Sequence, residues 1–199
     1  MNNLVQRIEV ALPHVETILN PAAQDFIRAL EQRFRPELDE LLKKRQDRQK
    51  QIDQGIFPDF LPHTEHIKSG TWQVAPVPAD LEDRRVEITG PCERKMMINA
   101  LNSGARVFMA DLEDSLTPTW ANIISAQINL IEAVRGTLSF TSAEGKEYKL
   151  QMDRRLATLV VRPRGLHLLE RHLLIDEKPV SASLFDFGLY FFHNAHELI

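Results

Sequence analysis

The sequence predicts an α/β fold in which parallel strands alternate with helices. Two apolar, strand-like segments, 106–111 and 156–165, are each followed further along the chain by a helical pattern. Strand, helix, strand, helix in this order implies that the strands pair in parallel through right-handed crossovers. Each strand segment also runs from apolar residues straight into charged ones. The charged side chains are therefore expected at the same, carboxyl, edge of the sheet.

Composition and charge limit the classes of protein to which this chain can belong. Its 199 residues suffice for a domain with a hydrophobic core, and a charged fraction of 26% is ordinary for a globular protein. A net charge of −4, with both signs mixed, indicates neither a nucleic-acid partner nor a membrane surface. Cys92 is the only cysteine, which excludes an internal disulfide, and neither a membrane span nor a signal peptide is visible. We therefore expect a cytoplasmic protein.

The first 80 residues are predicted to form a helical segment followed by an irregular covering arm. Asn20 and Pro21 are typical of a helix start, and apolar residues recur after them at helical spacing. Pro36 is expected to kink or restart this helix, and Gly55 should end it. Residues 56–80 are rich in proline and other turn signals, so they are expected to be irregular.

Residues 81–199 hold the predicted sheet. Val86 and Ile88 alternate as a short strand, and a helix is expected at 91–103 with Pro91 in its first turn. The buried face of this helix is predicted to consist of four apolar residues, Met96, Met97, Ala100 and Leu101.

The connection between the strands at 106–111 and 156–165 is predicted to contain a helix with a β-hairpin inserted after it. Thr117 is expected to cap the helix, which ends at Gly136. Alternating residues around a glycine turn predict the hairpin at about 137–151. After the strand at 156–165 the sequence predicts a polar connection and a last helix capped by Ser183. That helix is apolar nearly all round, so it should be buried on several sides.

Three acids stand where the first buried strand ends, Asp111, Glu113 and Asp114. Carboxylates are costly to bury without a partner, whereas at the exit of a strand they form a site for a cation or a proton donor. Side chains alternate along a strand, so Arg162 and Arg164 are expected to point to one face and to meet these acids. Two interpretations are open at this point. One is a structural cluster of salt bridges, and the other is a site for a hard cation beside an arginine that binds an anionic carbonyl substrate.

Several long segments resemble the N-terminal part of malate synthases of the A type. The longest, at 90–120, reads G-P-C-E-R-K-M-M-I-N-A-L-N-S-G-A-R-V-F-M-A-D-L-E-D-S-L-T-P-T-W. The others are A-D-L-E-D-R-R-V-E-I-T-G-P at 79–91, V-R-P-R-G-L-H-L at 161–168, S-L-F-D-F-G-L-Y-F-F-H-N at 183–194 and the pieces around 51–60. The resemblance covers roughly residues 20–199.

The resemblance implies the N-terminal part of a TIM (β/α)8 barrel, preceded by an α-helical clasp. It implies the condensation of acetyl-CoA with glyoxylate and water to malate and CoA, a step of the glyoxylate cycle, with Mg²⁺ as cofactor. A closed barrel takes about 250 residues, so we expect an incomplete barrel of two or three strands and no activity from these residues alone. The implied division is a clasp and covering arm at 1–80 and the first barrel strands and helices at 81–199. In a eukaryote, a glyoxysomal or peroxisomal location is the alternative to the cytoplasm.

The resemblance also implies roles for individual residues. Arg162, the first arginine of R-P-R-G, matches the catalytic arginine of the family. Because a guanidinium keeps its proton, we expect Arg162 to hold glyoxylate and to stabilise the enolate oxygen. Arg164 is a second candidate for contact with the anion, and Ser115 matches a position that contacts acetyl-CoA. Glu113 and Asp114 match acids that line the metal pocket, and we expect them to act through water. The direct metal ligands of the family, a Glu and an Asp on later strands, and its catalytic Asp beyond the barrel are expected outside this sequence.

Two alternatives to a malate synthase are a non-enzymatic interaction module and a related lyase that acts on malyl-CoA or citryl-CoA. The helical clasp and the segment R-P-R-G-L-H-L favour malate synthase over the lyase. The presence of Glu113, Asp114 and Arg162 argues against an abandoned site.

Overall fold

The structure is a computed structural model that describes residues 12–199 and the backbone of residues 5–7. Two short 3-10 turns, Pro62–Thr64 and Ala79–Leu81, lie in the arm between the N-terminal helix and the sheet. In chain order the helices and strands are β1 (Val5–Arg7), α1 (Val15–Ile18), α2 (Pro21–Asp53), α3 (Glu65–Lys68), β2 (Glu87–Pro91), α4 (Arg94–Leu101), β3 (Val107–Asp111), α5 (Trp120–Val134), β4 (Ser139–Thr141), β5 (Glu147–Lys149), β6 (Thr158–Arg162), β7 (Leu169–Ile175), β8 (Lys178–Ser181) and α6 (Ala182–Leu198).

Three parallel strands form the sheet that positions the candidate site. Their order is β2–β3–β6, and the register sets Asp111 of β3 beside Arg162 of β6. Helices α4 and α5 are the crossovers, so the predicted parallel pairing is confirmed, and the number of strands agrees with the two or three expected. The paired strands β4 and β5 lie in the second crossover, within the stretch 137–151 where the sequence predicts a hairpin. β6 is the last strand of this sheet in the described part of the chain, and it is only half-buried.

Helix α2 begins and ends at the residues that the sequence indicates. The side chain of Asn20 accepts a hydrogen bond from the backbone N–H of Ala23, at 3.0 Å. Gly55 follows the last turn with φ of 84°, a left-handed conformation that glycine adopts without strain. The helix is continuous through Pro36, so the predicted restart at this proline is wrong. Packing of the amphipathic helix outweighs the loss of one backbone hydrogen bond there.

The first crossover helix is shorter than predicted. Pro91 is the last residue of β2 and not part of the first helical turn, which begins at Arg94. A proline is tolerated there because β2 has a partner strand on only one side in the described structure, which leaves its missing N–H without consequence. The predicted burial of Met96 is wrong, since it is 48% exposed, and Ile98 occupies the buried face beside Met97.

Two helix caps lie two residues away from their predicted positions. Thr119, and not Thr117, caps α5 by accepting a hydrogen bond from the N–H of Asn122 at 3.2 Å. Ser181, and not Ser183, is the N-cap of α6. In each case several hydroxyl residues stand close together in the sequence, and the choice among them depends on where the preceding loop or strand ends.

The predicted polar connection before the last helix is wrong, because this stretch forms the antiparallel hairpin β7–β8. Leu173, Ile175 and Val180 face the core, and a tight turn at Asp176 and Glu177 joins the strands with φ of 51° and 64°. The backbone of β1 pairs with the outer side of β7. The charged residues along β7 hide its alternation from a reading of the sequence.

Helix α2 is attached to the sheet domain through helix α6. At Gly188 the two helices approach so closely that an added Cβ would lie 2.5 Å from the Cδ1 atom of Ile27. Both carboxylate oxygens of Glu31 accept from the N–H of Ser181, at 3.3 and 3.1 Å, where α6 begins. Helix α6 also contacts α5, β7 and β8, so its predicted burial on several sides is confirmed.

The arm between α2 and β2 exposes large apolar side chains. Phe57, Phe60, Trp72 and Val74 are each more than 60% exposed. The arm returns to the sheet at Asp80, whose carbonyl accepts a hydrogen bond from the hydroxyl of Thr158 at 3.2 Å. Within the residues that the structure describes, no helix has both the length and the apolar character needed to cross a membrane.

Candidate active site

Asp111, the last residue of β3, organises the loop that follows it. Its carboxylate is 1% exposed, and one oxygen accepts hydrogen bonds from the backbone N–H groups of Glu113 and Asp114, at 2.9 and 3.2 Å. The other oxygen accepts a hydrogen bond from the hydroxyl of Ser115 at 3.1 Å. The loop is therefore folded around a buried carboxylate, and Glu113, Asp114 and Ser115 are presented at the carboxyl edge of the sheet.

Arg162, the last residue of β6, joins this loop to the next strand. Its Nη1 atom lies 2.6 Å from Asp114 Oδ2 and 3.3 Å from Asp111 Oδ2, and its Nη2 atom lies 2.8 Å from Glu113 Oε2. The side chain of Arg162 is 36% exposed, so it remains accessible to solvent while the three carboxylates contact it. The predicted meeting of Arg162 with the three acids is confirmed.

The contacts in this cluster shift the pKa values of Asp111 and Arg162 in opposite directions. Burial favours protonated Asp111, but the hydrogen bonds from the loop and the charge of Arg162 outweigh burial and lower the pKa of this carboxyl. The hydrogen bond to Asp114 and the nearby carboxylates raise the pKa of Arg162. Arg162 is therefore a permanent cation. It can bind and polarise an anionic oxygen, and it cannot serve as a base.

Arg164 lies elsewhere, and its predicted convergence with the acids is wrong. Its side chain is 4% exposed, with Nε and Nη2 each 2.8 Å from the carboxylate of Asp186 and Nη1 2.9 Å from that of Glu170. Because β6 ends at Arg162, the alternation of a strand no longer applies two residues later. Burial raises the pKa of Asp186, and the contact with Arg164 opposes this shift.

The sequence reasoning missed Asp186 and Glu170. Neither acid is marked by a local pattern, because the partner that makes each of them suitable for the interior, Arg164, lies on another element. The predicted contact of Arg164 with an anionic substrate finds no support in this geometry, because its side chain is 4% exposed against 36% for Arg162.

Comparisons with known proteins identify the family. Sequence models of the malate synthase N-terminal domain and TIM barrel domain match residues 7–66 and 158–199. Malate synthase from Myxococcus xanthus (strain DK1622) is 56% identical over 185 residues, which are 93% of this chain and 34% of the relative. Malate synthase A from Escherichia coli (strain K12) is 50% identical over 92% of this chain and 34% of the relative. The glyoxysomal malate synthase of Candida tropicalis is 49% identical over 92% of this chain and 33% of the relative.

The chain belongs to the malate synthase family. It spans about a third of the length of these relatives, and it matches the N-terminal domain of malate synthase and part of the malate synthase barrel. The barrel match includes β6, and the parallel sheet with its crossover helices fits the incomplete (β/α)8 barrel that the sequence predicts.

The acids at the edge of this malate synthase barrel segment do not form a complete metal site. Among the residues that the structure describes, no group of three or more His, Cys, Asp or Glu side chains is arranged to hold a metal ion. Glu113 and Asp114 both contact the guanidinium of Arg162, which would repel a dication from their inner oxygens. The residues present therefore do not fit a direct Mg²⁺ ligand set.

Gly165 leaves room for the carboxylate of Glu113 at the candidate site. A Cβ added at Gly165 would lie 2.6 Å from Glu113 Oε1 and 2.8 Å from the ring of His167. We expect Gly165→Ala to displace the Glu113 carboxylate from Arg162, because the end of a flexible side chain moves more easily than the backbone. The variant should fold, and its affinity for an anionic substrate should change, as measured by KM for that substrate. An unchanged KM would show that this close approach has no functional role. Gly90→Ala, in β2, is the matched control, because Gly90 also lacks a positive φ and an added Cβ would lie no closer than 3.4 Å to the ring of Phe108.

Proposed function

We propose that this chain is the N-terminal part of a malate synthase that condenses acetyl-CoA with glyoxylate and water to give malate and CoA. The observation that carries the proposal is the partly exposed, permanently charged Arg162 at the carboxyl edge of three barrel strands. Ligands bind at this edge in α/β barrels. Since the chain spans about a third of its relatives, the activity is proposed for the complete polypeptide.

In the proposed reaction Arg162 binds oxygen atoms that carry negative charge. Glyoxylate has a carboxylate and an aldehyde, and the guanidinium offers donors in a planar fork that matches a carboxylate. The same donors stabilise the oxygen of the acetyl-CoA enolate, which gains negative charge when the methyl group loses its proton. Asp111, Glu113 and Asp114 hold the fork in place before substrate arrives, so little reorganisation is required during the reaction.

The remaining steps require groups that are not assigned to this chain. A base takes a methyl proton, and the resulting carbon attacks the aldehyde carbon of glyoxylate, whose oxygen becomes the hydroxyl of the product. Water then cleaves the thioester and releases CoA. We propose that the exposed Ser115, at the tip of the loop that follows β3, contacts acetyl-CoA.

Two further proposals concern the cofactor and the cellular location of the complete enzyme. Mg²⁺ is proposed as a cofactor of the complete enzyme, with Glu113 and Asp114 bordering its pocket through water. The cytoplasm remains the proposed location, with the glyoxysome as the alternative in a eukaryote.

The test compares this 199-residue chain with the complete polypeptide in one assay. Acetyl-CoA, glyoxylate and Mg²⁺ are supplied, and free CoA and malate are both measured. We expect equal amounts of CoA and malate from the complete polypeptide and none from the isolated chain. In a parallel assay supplied with malyl-CoA, its cleavage to acetyl-CoA and glyoxylate by a polypeptide that makes no malate would replace the proposal by a lyase. No turnover of either thioester would contradict both enzymes.

A further inference from the structure

A buried ionic cluster lies beside the candidate site and has no part in the chemistry proposed above. It consists of Arg164, Glu170 and Asp186, which are 4%, 2% and 0% exposed. Buried ion pairs are costly to desolvate, and apolar residues of similar size often stabilise a fold as well or better. Stability alone is therefore a weak reason for three charges at this place.

Asp186 fixes the backbone at Arg164 as well as its side chain. One carboxylate oxygen, Oδ2, accepts hydrogen bonds from the backbone N–H of Arg164 at 3.0 Å and from its Nε at 2.8 Å. The fixed peptide lies two residues after Arg162 and one residue before Gly165, which approaches the Glu113 carboxylate closely. The position of Arg162, and that of the Gly165 backbone that Glu113 approaches, therefore both depend on the hydrogen bond between Asp186 and the backbone of Arg164.

Glu170 links the cluster to helix α5 through His172. Its Oε1 atom accepts a hydrogen bond from the backbone N–H of His172 at 2.8 Å and lies 2.7 Å from His172 Nδ1. The ring of His172 stacks on Trp120, with centroids 5.0 Å apart and planes at 18°. Trp120 is the first residue of α5 and follows the loop that carries Glu113 and Asp114. Through His172 the cluster is thus linked to the start of the helix that follows the site loop.

We propose that Asp186 is a positioning residue that acts through Arg164 to hold Arg162 against the carboxylates of Glu113 and Asp114. This inference rests on the proposed function, because the consequence of correct placement is binding and activation of glyoxylate. Asp186 itself contacts no substrate. Its effect is geometric, and a misplacement of about 1 Å in a catalytic group can lower the rate about 10²-fold.

The test is Asp186→Asn in the complete polypeptide. The single amide oxygen of asparagine cannot replace both Oδ1 and Oδ2, so its NH2 group faces either Nη2 or the backbone N–H and Nε of Arg164, which are all donors. We expect kcat/KM for glyoxylate to fall about 10²-fold, while KM for acetyl-CoA stays unchanged. We also expect a crystal structure of the variant to show the 2.8 Å contact between Arg162 Nη2 and Glu113 Oε2 broken. An intact contact would overturn the inference whether or not the wild type makes malate, so its failure is distinct from failure of the proposed function.

Two further variants separate positioning from stability. Glu132→Gln weakens a two-contact ion pair with Arg94, at 2.6 and 2.8 Å, that joins α4 and α5 away from Arg162. Its kinetic constants for glyoxylate should equal those of the wild type. If Asp186→Asn fails to fold, the combined variant Arg164→Met, Glu170→Leu, Asp186→Leu replaces the cluster with apolar residues. A folded protein with impaired use of glyoxylate supports the inference, and a folded protein with wild-type kinetics overturns it.

Discussion

Arg162→Ala is expected to lower the turnover of the complete polypeptide by about 10²- to 10³-fold, the usual effect of removing a donor to a developing oxyanion. The substitution removes the only cation that the structure places among Asp111, Glu113 and Asp114 in the described residues. Three carboxylates without this cation repel both the carboxylate of glyoxylate and the enolate oxygen. Steady-state formation of CoA and malate measures the effect. Arg162→Lys should also be strongly impaired, because an ammonium group cannot reproduce the planar fork.

Arg106→Ala is the matched control for this prediction. Arg106 is the same residue type, with an exposed fraction of 37% against 36% for Arg162, and it is paired with Asp83 at 3.0 Å. It precedes β3 at the opposite, amino, edge of the sheet. We expect Arg106→Ala to retain wild-type turnover. Near-normal turnover of Arg162→Ala, with the same melting temperature as the wild type, would contradict the role assigned to Arg162.

Asp111→Asn is expected to lower both the stability of the site loop and the activity. An asparagine in this buried position directs an NH2 group at the hydroxyl of Ser115 and at Arg162, where the carboxylate accepted hydrogen bonds. A buried donor that faces another donor costs about 1–3 kcal/mol of the free energy of unfolding. Chemical denaturation at neutral pH measures this loss. Activity should fall as well, because the loop presents Glu113 and Asp114 to Arg162.

The same substitution should change how stability responds to acid. The pKa of Asp111 is lowered in the folded protein, so its stabilising contribution is complete above the ordinary carboxyl pKa of about 3.9 and is lost as the pH falls through the lower, folded value. The wild type should therefore lose more stability than Asp111→Asn below about pH 4.

Asp83→Asn is the control at neutral pH, because this acid is also paired with arginines but is 28% exposed. We expect Asp83→Asn to lower the free energy of unfolding by less than Asp111→Asn does, since solvent screens exposed pairs. Equal stability of the wild type and Asp111→Asn at neutral pH would contradict this account.

The contact between Asp111 and Arg162 could be predicted from the sequence because each residue ends an apolar strand segment. Two parallel strands that change from apolar to charged at the same level must bring those charges together at one edge. The parallel order and the N-terminal helix followed from equally regular patterns. The barrel and the family followed from the long segments that resemble malate synthases.

The partners of Arg164 could not be predicted by the same reasoning. The strand ends at Arg162, so side-chain alternation gives no direction for Arg164, and its main partner, Asp186, lies 22 residues later on a helix. The hairpin β7–β8 was missed because buried Glu170 and half-buried His172 stand at positions where a strand pattern requires apolar residues. In both cases a tertiary ion pair makes a polar residue suitable for the interior, and no local pattern reports it.

The order in which these contacts occur along the chain has a consequence for biosynthesis. Arg162 lies 51 positions after Asp111, so at about 5–20 residues per second a ribosome adds it within about 3–10 s. In a polypeptide as long as the relatives, most of the chain is still to be translated at that moment. We expect the acid–arginine cluster to assemble on the nascent chain. Later segments would then dock against an edge whose charges are already paired, which protects three carboxylates from nonspecific cation binding while translation continues.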